Sequence, residues 1–136
     1  MHLEYNVEGG DFTRAGYASS QIKKTLKQLN VDATVIKRVV VALYEAEVNI
    51  VAHAYRGVIY ADINGAGIQL RLADEGPGIA DVDMAMKRGF STASREVREM
   101  GFGAGMGLPN ISENADNFSI DTIVGKGTTL NIEIKF

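Results

Sequence analysis

The chain has 136 residues, a net charge of −3, 46% hydrophobic residues and no cysteine. Its length and composition fit one globular domain and exclude disordered and fibrous proteins. The acidic balance argues against a nucleic-acid binder, which normally shows a basic surplus. The lack of cysteine excludes disulfides and thiolate metal sites.

Membrane and secretion signals are absent from the sequence. No apolar run reaches the roughly 18 residues that a bilayer span requires, and residues 1–12 lack the basic and apolar regions of a signal peptide. We therefore expect a single cytoplasmic domain, residues 1–136, that binds neither nucleic acid nor membrane.

The N-terminal part of the chain predicts a strand and then a helix. Residues 3–8 alternate in polarity as a half-buried strand does. Asp11 or Thr13 is placed to cap a helix that runs to about Asn30.

A second helix is expected to start after Asp32 and to cover residues 33–56, ending near Gly57. Apolar residues lie nearly all the way round it, which is unusual for a helix on the surface. We therefore expect it to pack against a sheet as a core element.

Two hairpins complete the predicted elements. Their turns contain Asn64 with Gly65 and, near the C-terminus, the segment VGKG, because Asn and Gly tolerate the positive φ angles of tight turns. The strands around these turns cover residues 58–63, 67–74, 118–123 and 128–136. Strands at both ends with helices between them predict an α+β two-layer sandwich, in which helices cover one face of a mixed, mostly antiparallel sheet.

Three polar residues interrupt the second helix at intervals of four positions: Glu45, Asn49 and His53. They share one face of the helix, and burying a carboxylate and an amide is costly unless partners satisfy them. A carboxylate and a side-chain carbonyl suit two tasks, accepting a proton from a nucleophile and offering oxygen to Mg²⁺. The alternative is that Glu45 and Asn49 are ordinary hydrogen-bonded residues, and His53 is better interpreted as a core or rim residue than as a catalyst.

The segment ADEGPGI places Asp74 at the end of a predicted strand, before Gly76 and Gly78. Glycines in a turn let a ligand approach the backbone closely. A carboxylate at this point can accept a hydrogen bond from an exocyclic amine such as that of adenine. A plain turn is the alternative, because Asp, Gly and Pro are all common in turns.

The segment GFGAGMGLPN carries glycines at alternate positions directly before a predicted helix, among them Gly103, Gly105 and Gly107. Backbone N–H groups and a helix N-terminus in this arrangement can hold an anion such as phosphate. The segment lacks both the GK[ST] of a Walker A loop and the GxGxxG of a dinucleotide fingerprint. A flexible loop is the alternative.

In their order and spacing these segments resemble the GHKL ATPase superfamily, named for gyrase, Hsp90, histidine kinases and MutL. YEAEVNIVAHAY corresponds to the N box, DEGPGI and GFGAGMGLPN to the two glycine boxes, RGFSTA to the start of the lid and VGKGTT to the terminal turn. Within the superfamily the chain most resembles the anti-sigma factors and switch serine kinases of bacterial partner-switching systems. The resemblance covers nearly the whole chain and implies the Bergerat-type ATP-binding fold.

The resemblance also implies roles for single residues. Asn49 would help to bind Mg²⁺ that bridges the ATP phosphates, and Glu45 would act as general base on the attacking hydroxyl group. Asp74 would receive the adenine amino group, with the hydroxyl of Thr128 or Thr129 nearby.

The glycines and the lid acquire roles in the same way. Gly76 and Gly78 would let the first loop pass close to the base, and the phosphates would be held by Gly103, Gly105 and Gly107. Residues 84–100 would form the ATP lid, from which one of three arginines would reach the γ-phosphate: Arg88, Arg95 or Arg98. The alternative is that these arginines are simply solvated.

Three functions remain open at this point. The leading hypothesis is a Mg²⁺-dependent serine/threonine protein kinase, because Glu45 fits direct use of a hydroxyl nucleophile. The resemblance implies that its substrate is a STAS-domain antagonist protein. The second is a binding protein whose ATP-loaded form sequesters or activates a regulator, such as a sigma factor or a phosphatase. The third is a nucleotide-free interaction domain with the same fold. Members of the family often dimerise, so a homodimer is also open.

Overall fold

One five-stranded sheet forms the base of the computed structural model, which describes residues 1–87 and 107–136. Its strands are β1 (His2–Glu8), β2 (Arg56–Asn64), β3 (Gly67–Glu75), β4 (Asn117–Ile123) and β5 (Gly127–Lys135). They lie in the order β1-β2-β3-β5-β4, and each neighbouring pair is antiparallel. The predicted α+β sandwich is confirmed, with a sheet that is antiparallel throughout these strands.

The helices of the described residues are α1 (Tyr17–Gln28), α2 (Ala33–His53), α3 (Val82–Ala85) and α4 (Gly107–Asn114), with a 3-10 turn at Phe12–Arg14. Within residues 1–87 and 107–136, each helix is too short or too polar to cross a membrane. The long helix α2 lies at the centre of the helical layer, because it contacts α1, α4 and the sheet.

The helices in residues 1–87 and 107–136 cover one face of the sheet. Along β2, β3 and β5 every second residue is buried, which is the pattern of strands with one face on a core. The core-facing residues of these strands are aliphatic: Ile59, Ala61, Ile63, Ile68, Leu70, Leu72, Leu130, Ile132 and Ile134. They pack against buried residues of the helices, such as Ile22, Leu43 and Ile50. The opposite face carries polar side chains such as Gln69 and Arg71, so the part of the chain that the structure describes has two layers.

Helix α1 begins later than its sequence predicts, and neither Asp11 nor Thr13 caps it. Its N-cap is Gly16, with φ +93°, which offers no side chain. The capping carboxylate comes from Glu47 of α2, whose two oxygens accept hydrogen bonds from the backbone N–H groups of Gly16, Ala18 and Ser19 at 3.0–3.2 Å. Glu47 also accepts a bond from the hydroxyl of Ser19 at 2.7 Å, and is only 2% exposed.

The connection from α1 to α2 follows two local rules. Asn30 adopts φ +58° after the last turn of α1. The backbone N–H of Val31 donates to the carbonyl oxygen of Leu26 at 3.1 Å, and the N–H of Asn30 donates to the carbonyl oxygen of Lys27. This is the Schellman pattern of helix termination. Asp32 then caps α2 as predicted, because its Oδ1 accepts from Thr34 N–H at 2.8 Å.

Helix α2 ends at His53, three residues before the predicted end. Ala54 is already extended, and Tyr55 N–H donates to the Glu75 carbonyl at 2.8 Å. The chain leaves the helix here because it joins β2 directly, next to the end of β3. The C-terminus of α2 is thereby fixed beside the loop that follows β3.

Candidate nucleotide-binding site

The polar stripe of α2 faces the N-terminus of α4. Glu45 and Asn49 are both half-buried, although most of the surrounding helix is buried. The side-chain amide of Asn110 donates to Glu45 Oε1 at 3.4 Å. A Cβ atom at Gly107 would lie 3.6 Å from Glu45 Oε2. A helix N-terminus and a carboxylate are therefore held together at one end of the site.

The first turn of α4 lies at this end of the site, beside Glu45. The first four N–H groups of any helix lack partners within the helix, and Pro109 has no N–H. Gly107, Leu108 and Asn110 thus supply the donors of this turn. Donors at the positive end of a helix dipole favour a bound anion, as a phosphate group would be.

Asp74 lies at the other end of the site, on the helix-facing side of β3. It continues the buried series Ile68, Leu70 and Leu72, but is itself half-buried. Burial raises the pKa of its carboxyl group, and a hydrogen bond from the backbone N–H of Thr128 partly opposes that rise. The carboxylate is therefore held by the backbone at a position where water only partly solvates it.

The predicted glycines pack closely around Asp74. A Cβ at Gly76 would lie 3.4 Å from Asp74 Oδ1 and 3.0 Å from Ala54 Cα. Gly78 has φ +75°, and a Cβ there would lie 2.6 Å from the carbonyl oxygen of Ile123. Gly127 also lies against the Asp74 carbonyl, so closely that a Cβ would overlap it. Side chains at these positions would displace the loop from Asp74.

Two threonine hydroxyls extend the hydrogen-bond network around Asp74. The backbone N–H of Thr128 donates a hydrogen bond to Asp74, and Thr128 is only 7% exposed. Its Oγ1 lies 2.9 Å from Oγ1 of Thr122. Thr122 Oγ1 accepts a bond from Ile79 N–H at 2.9 Å and lies 3.2 Å from the Gly127 carbonyl. The sequence did not point to Thr122, because it belongs to β4 and no local motif includes it.

Contacts at the end of α2 join the two ends of the site. Asn49 and Ala54 are five residues apart, about 7.5 Å along the helix axis, and Ala54 contacts Gly76 beside Asp74. The C-terminus of α2 therefore lies beside Asp74, and Asn49 and Glu45 lie further back along the same helix.

The remaining predicted residues differ in what the structure describes of them. Thr129 lies on the opposite face of β5 from Thr128, so Thr128 alone fits the role given to either. His53 is half-buried, which fits the interpretation as a rim residue, and burial lowers its pKa. Five predicted residues lie outside the described residues: Gly103, Gly105, Arg88, Arg95 and Arg98.

Metal binding is restricted by the available ligands. In residues 1–87 and 107–136, no three His, Asp or Glu side chains come close enough to hold a metal ion by themselves. Glu45 and Asn49 still offer hard oxygen atoms, and Mg²⁺ normally combines one or two protein ligands with water and phosphate oxygens. The residues present therefore fit Mg²⁺ carried by a nucleotide, and do not form a separate protein cage.

The candidate site combines a carboxylate at a strand end, a glycine turn packed on it and a polar helix stripe facing a helix N-terminus. These are features expected of a nucleotide-binding ATPase domain. The sequence model of the histidine kinase-like ATPase domain matches residues 12–134. The chain belongs to this family, and the predicted relationship to the GHKL superfamily is confirmed.

Two relatives represent the two predicted groups. Serine/threonine-protein kinase RsbT of Bacillus subtilis is 31% identical over 112 residues, which cover 79% of this chain and 78% of the relative. Anti-sigma F factor of the same organism is 30% identical over 142 residues, which cover 97% of this chain and 89% of the relative. The predicted similarity to kinases and anti-sigma factors of this type is therefore confirmed.

Solved structures agree on the fold. The RsbU and RsbW domains of Rv1364c from Mycobacterium tuberculosis superpose with a TM-score of 0.65 at 17% identity, covering all of this chain and 33% of that longer one. The mycobacterial sensor histidine kinase MprB gives a TM-score of 0.56 at 15% identity, and the match covers 99% of this chain and 97% of the MprB chain. At such identities the similarity establishes the fold alone.

Proposed function

We propose that this protein is an ATP-dependent serine/threonine protein kinase of a bacterial partner-switching system, acting in the cytoplasm on a STAS-domain antagonist protein. The observation that carries the proposal is the position of Glu45, beside the N-terminus of α4 and one turn from Asn49. The similarity to serine/threonine-protein kinase RsbT supports the same activity.

The two ends of the site would divide the work of binding ATP. Asp74 accepts the adenine amino group, and the loop with Gly76 and Gly78 lies against the base. The N–H donors of α4 orient the phosphates, and Asn49 offers an oxygen to Mg²⁺, which neutralises phosphate charge when it is bound. Charge repulsion from the carboxylate of Asp74 would favour binding of ATP with its phosphate chain directed away from Asp74.

Glu45 would act on the protein substrate. Its carboxylate accepts the proton of a serine or threonine hydroxyl as that oxygen bonds to the γ-phosphorus, and ADP leaves. Asn110 donates to Oε1 of Glu45 and so helps to fix the orientation of the carboxylate. Oε2 lies on the side of Gly107, where the terminal phosphate would lie against the helix N-terminus.

The experiment is phosphate transfer from γ-labelled ATP with Mg²⁺ into a lysate of the source organism, comparing wild type with Glu45→Gln. We expect one labelled protein with wild type and loss of the label with the variant, because Gln cannot accept the proton. Glu133→Gln serves as the matched control, since Glu133 lies on the opposite face of the sheet. ATP binding is measured separately on all three proteins with a fluorescent ATP analogue.

Two results would overturn the kinase proposal: no labelled protein although ATP binds, or undiminished labelling by Glu45→Gln. The first would favour an ATP-gated binding protein for a sigma factor or a phosphatase. Similarity to anti-sigma F factor over 97% of the chain keeps that function as the second candidate. Its mark would be an ATP-dependent complex that persists in Glu45→Gln.

A further inference from the structure

A groove of about 560 Å³ lies between the C-terminal half of α1 and the N-terminal half of α2. Val31, Ile36 and Val40 supply apolar lining, and the exposed side chains of Lys23, Lys27 and Lys37 also line it. A volume of this size is within the usual range of binding pockets. The groove therefore combines apolar surface with a local excess of positive charge.

The positive charge is uncompensated within the groove. None of its lining residues is acidic, although the chain as a whole has a net charge of −3. Across the described ranges, the ion pairs involve His2, Arg38 and Arg56, and none involves Lys23, Lys27 or Lys37. Like charges so close together repel one another. An acidic ligand would remove that repulsion.

The lysines have a defined spacing. Lys23 and Lys27 are four residues apart on one face of α1, about 6 Å along its axis, while Lys37 lies across the groove on α2. Two acidic residues four positions apart on a partner helix have the same spacing. Apolar residues on the adjoining face of such a helix would fit against Val31, Ile36 and Val40.

The groove is separate from the nucleotide site. Lys37 and Asn49 are twelve residues apart on α2, which is about 18 Å along the helix. This separation is too large for the groove lysines to hold phosphates of a nucleotide bound near Asn49. Their charge is therefore available for a second ligand.

We propose that this groove is a docking site for an acidic amphipathic helix of a partner protein. Its apolar lining would hold the helix's hydrophobic residues, in the manner of other helix-in-groove complexes. Its lysines would pair with acidic residues of the same helix and fix its register. An inorganic anion would use the lysines but leave the apolar lining uncovered. The docking site lies apart from the nucleotide site, so the proposal does not rest on kinase activity.

The test is selection of helical peptides on the nucleotide-free protein. A display library of peptides of about 16 residues carries leucine at i, i+3, i+4 and i+7, with all other positions random. We expect enrichment of Asp or Glu four positions apart. Enriched peptides should bind at least about tenfold more weakly to Lys27→Glu and Lys37→Glu. The matched control is Lys24→Glu, an exposed lysine of α1 outside the groove, which should change binding less than about twofold.

Circular dichroism would confirm that each variant is folded. Equal weakening by Lys24→Glu would overturn the proposal, because bulk charge alone would then explain binding. Failure to enrich any peptide, or enrichment without acidic residues, would overturn it as well. Phosphatidylserine vesicles are the remaining probe. If no peptide binds, and the protein binds these vesicles in a way that the groove variants abolish, the ligand of the groove would be a membrane and the protein-partner proposal would be wrong.

Discussion

The backbone N–H of Thr128 donates a hydrogen bond to Oδ1 of Asp74 at 3.0 Å, joining two residues that are 54 positions apart. The bond lies just beyond the last register pair of β3 and β5, between Ala73 and Thr129. Within the described residues, Oδ2 of Asp74 has no hydrogen bond. One oxygen thus orients the carboxylate, and the other remains available to a ligand.

The substitution Asp74→Asn should separate stability from binding. The amide oxygen of Asn can still accept from Thr128, while its NH₂ group would face the adenine amino group, and ATP affinity should fall about 10- to 100-fold. Removing a half-buried charge should raise the melting temperature slightly, by about 2 °C. Calorimetry with ATP and thermal unfolding without it measure the two effects. Unchanged ATP affinity would refute the adenine role.

The stability difference between wild type and Asp74→Asn should depend on pH. Because burial raises the pKa of Asp74 in the folded protein, ionisation of this carboxyl group destabilises the folded state relative to the unfolded chain. As the pH falls through the folded pKa towards 3.8, Asp74 becomes protonated, and the difference in the free energy of unfolding between wild type and Asp74→Asn should close. Urea unfolding at several pH values measures it. If the difference in the free energy of unfolding between the two proteins widened on acidification, the predicted direction of the pKa shift would be wrong.

The substitution Glu47→Ala should destabilise the protein by about 3 kcal/mol, because it leaves several donors at the start of α1 without an acceptor. Glu47→Gln keeps one acceptor oxygen and should cost less. Glu8→Ala, at an exposed glutamate, should change the free energy of unfolding by less than about 0.5 kcal/mol. Chemical denaturation compares the three, and equal losses at Glu8 and Glu47 would exclude the capping role.

Two glycines with positive φ allow a matched comparison. A Cβ at Gly125 meets nothing within 4 Å, so Gly125→Ala should cost only the backbone strain, about 1 kcal/mol. At Gly78 a Cβ also clashes with the carbonyl of Ile123, so Gly78→Ala should cost at least about 2 kcal/mol. The displaced loop should also weaken ATP binding. Similar stability and ATP affinity in the two variants would mean that the contact with Ile123 is not important.

The substitution Thr122→Val removes the hydroxyl that bonds Ile79 N–H and contacts Thr128. We expect a loss of about 1 kcal/mol in stability and weaker ATP binding, both largely restored in Thr122→Ser. Thr129→Val is the control, because Thr129 lies on the other face of the sheet. Nucleotide titration and denaturation distinguish the variants. If Thr129→Val weakened ATP binding equally, Thr122 would have no particular role in the site.

Much of the local geometry of the candidate site could be predicted because its residues lie in short segments with local rules. The spacing of Glu45 and Asn49 on one helix face, and of Asp74 before two glycines, depends only on nearby chain. The contribution of Thr122 could not be predicted in this way. It depends on the pairing of β4 with β5, which brings Thr122 opposite Thr128.

The start of α1 shows the same limit for the fold. Capping rules consider the residues next to a helix, and both Asp11 and Thr13 satisfy them. The structure uses Glu47 instead, since burying its carboxylate required several donors and the N-terminus of α1 supplies them. A partner some thirty residues away leaves no signal in the local sequence.

This distant cap has a consequence for the order of folding. The donors at Gly16, Ala18 and Ser19 meet their acceptor only after residue 47 has been synthesised and α2 has formed, 28 to 31 positions downstream. Helix α1 should therefore be the later of the two to form, although it comes first in the chain. Mutations at Ser19 should mainly speed unfolding and leave the folding rate nearly unchanged, as expected for contacts made after the transition state.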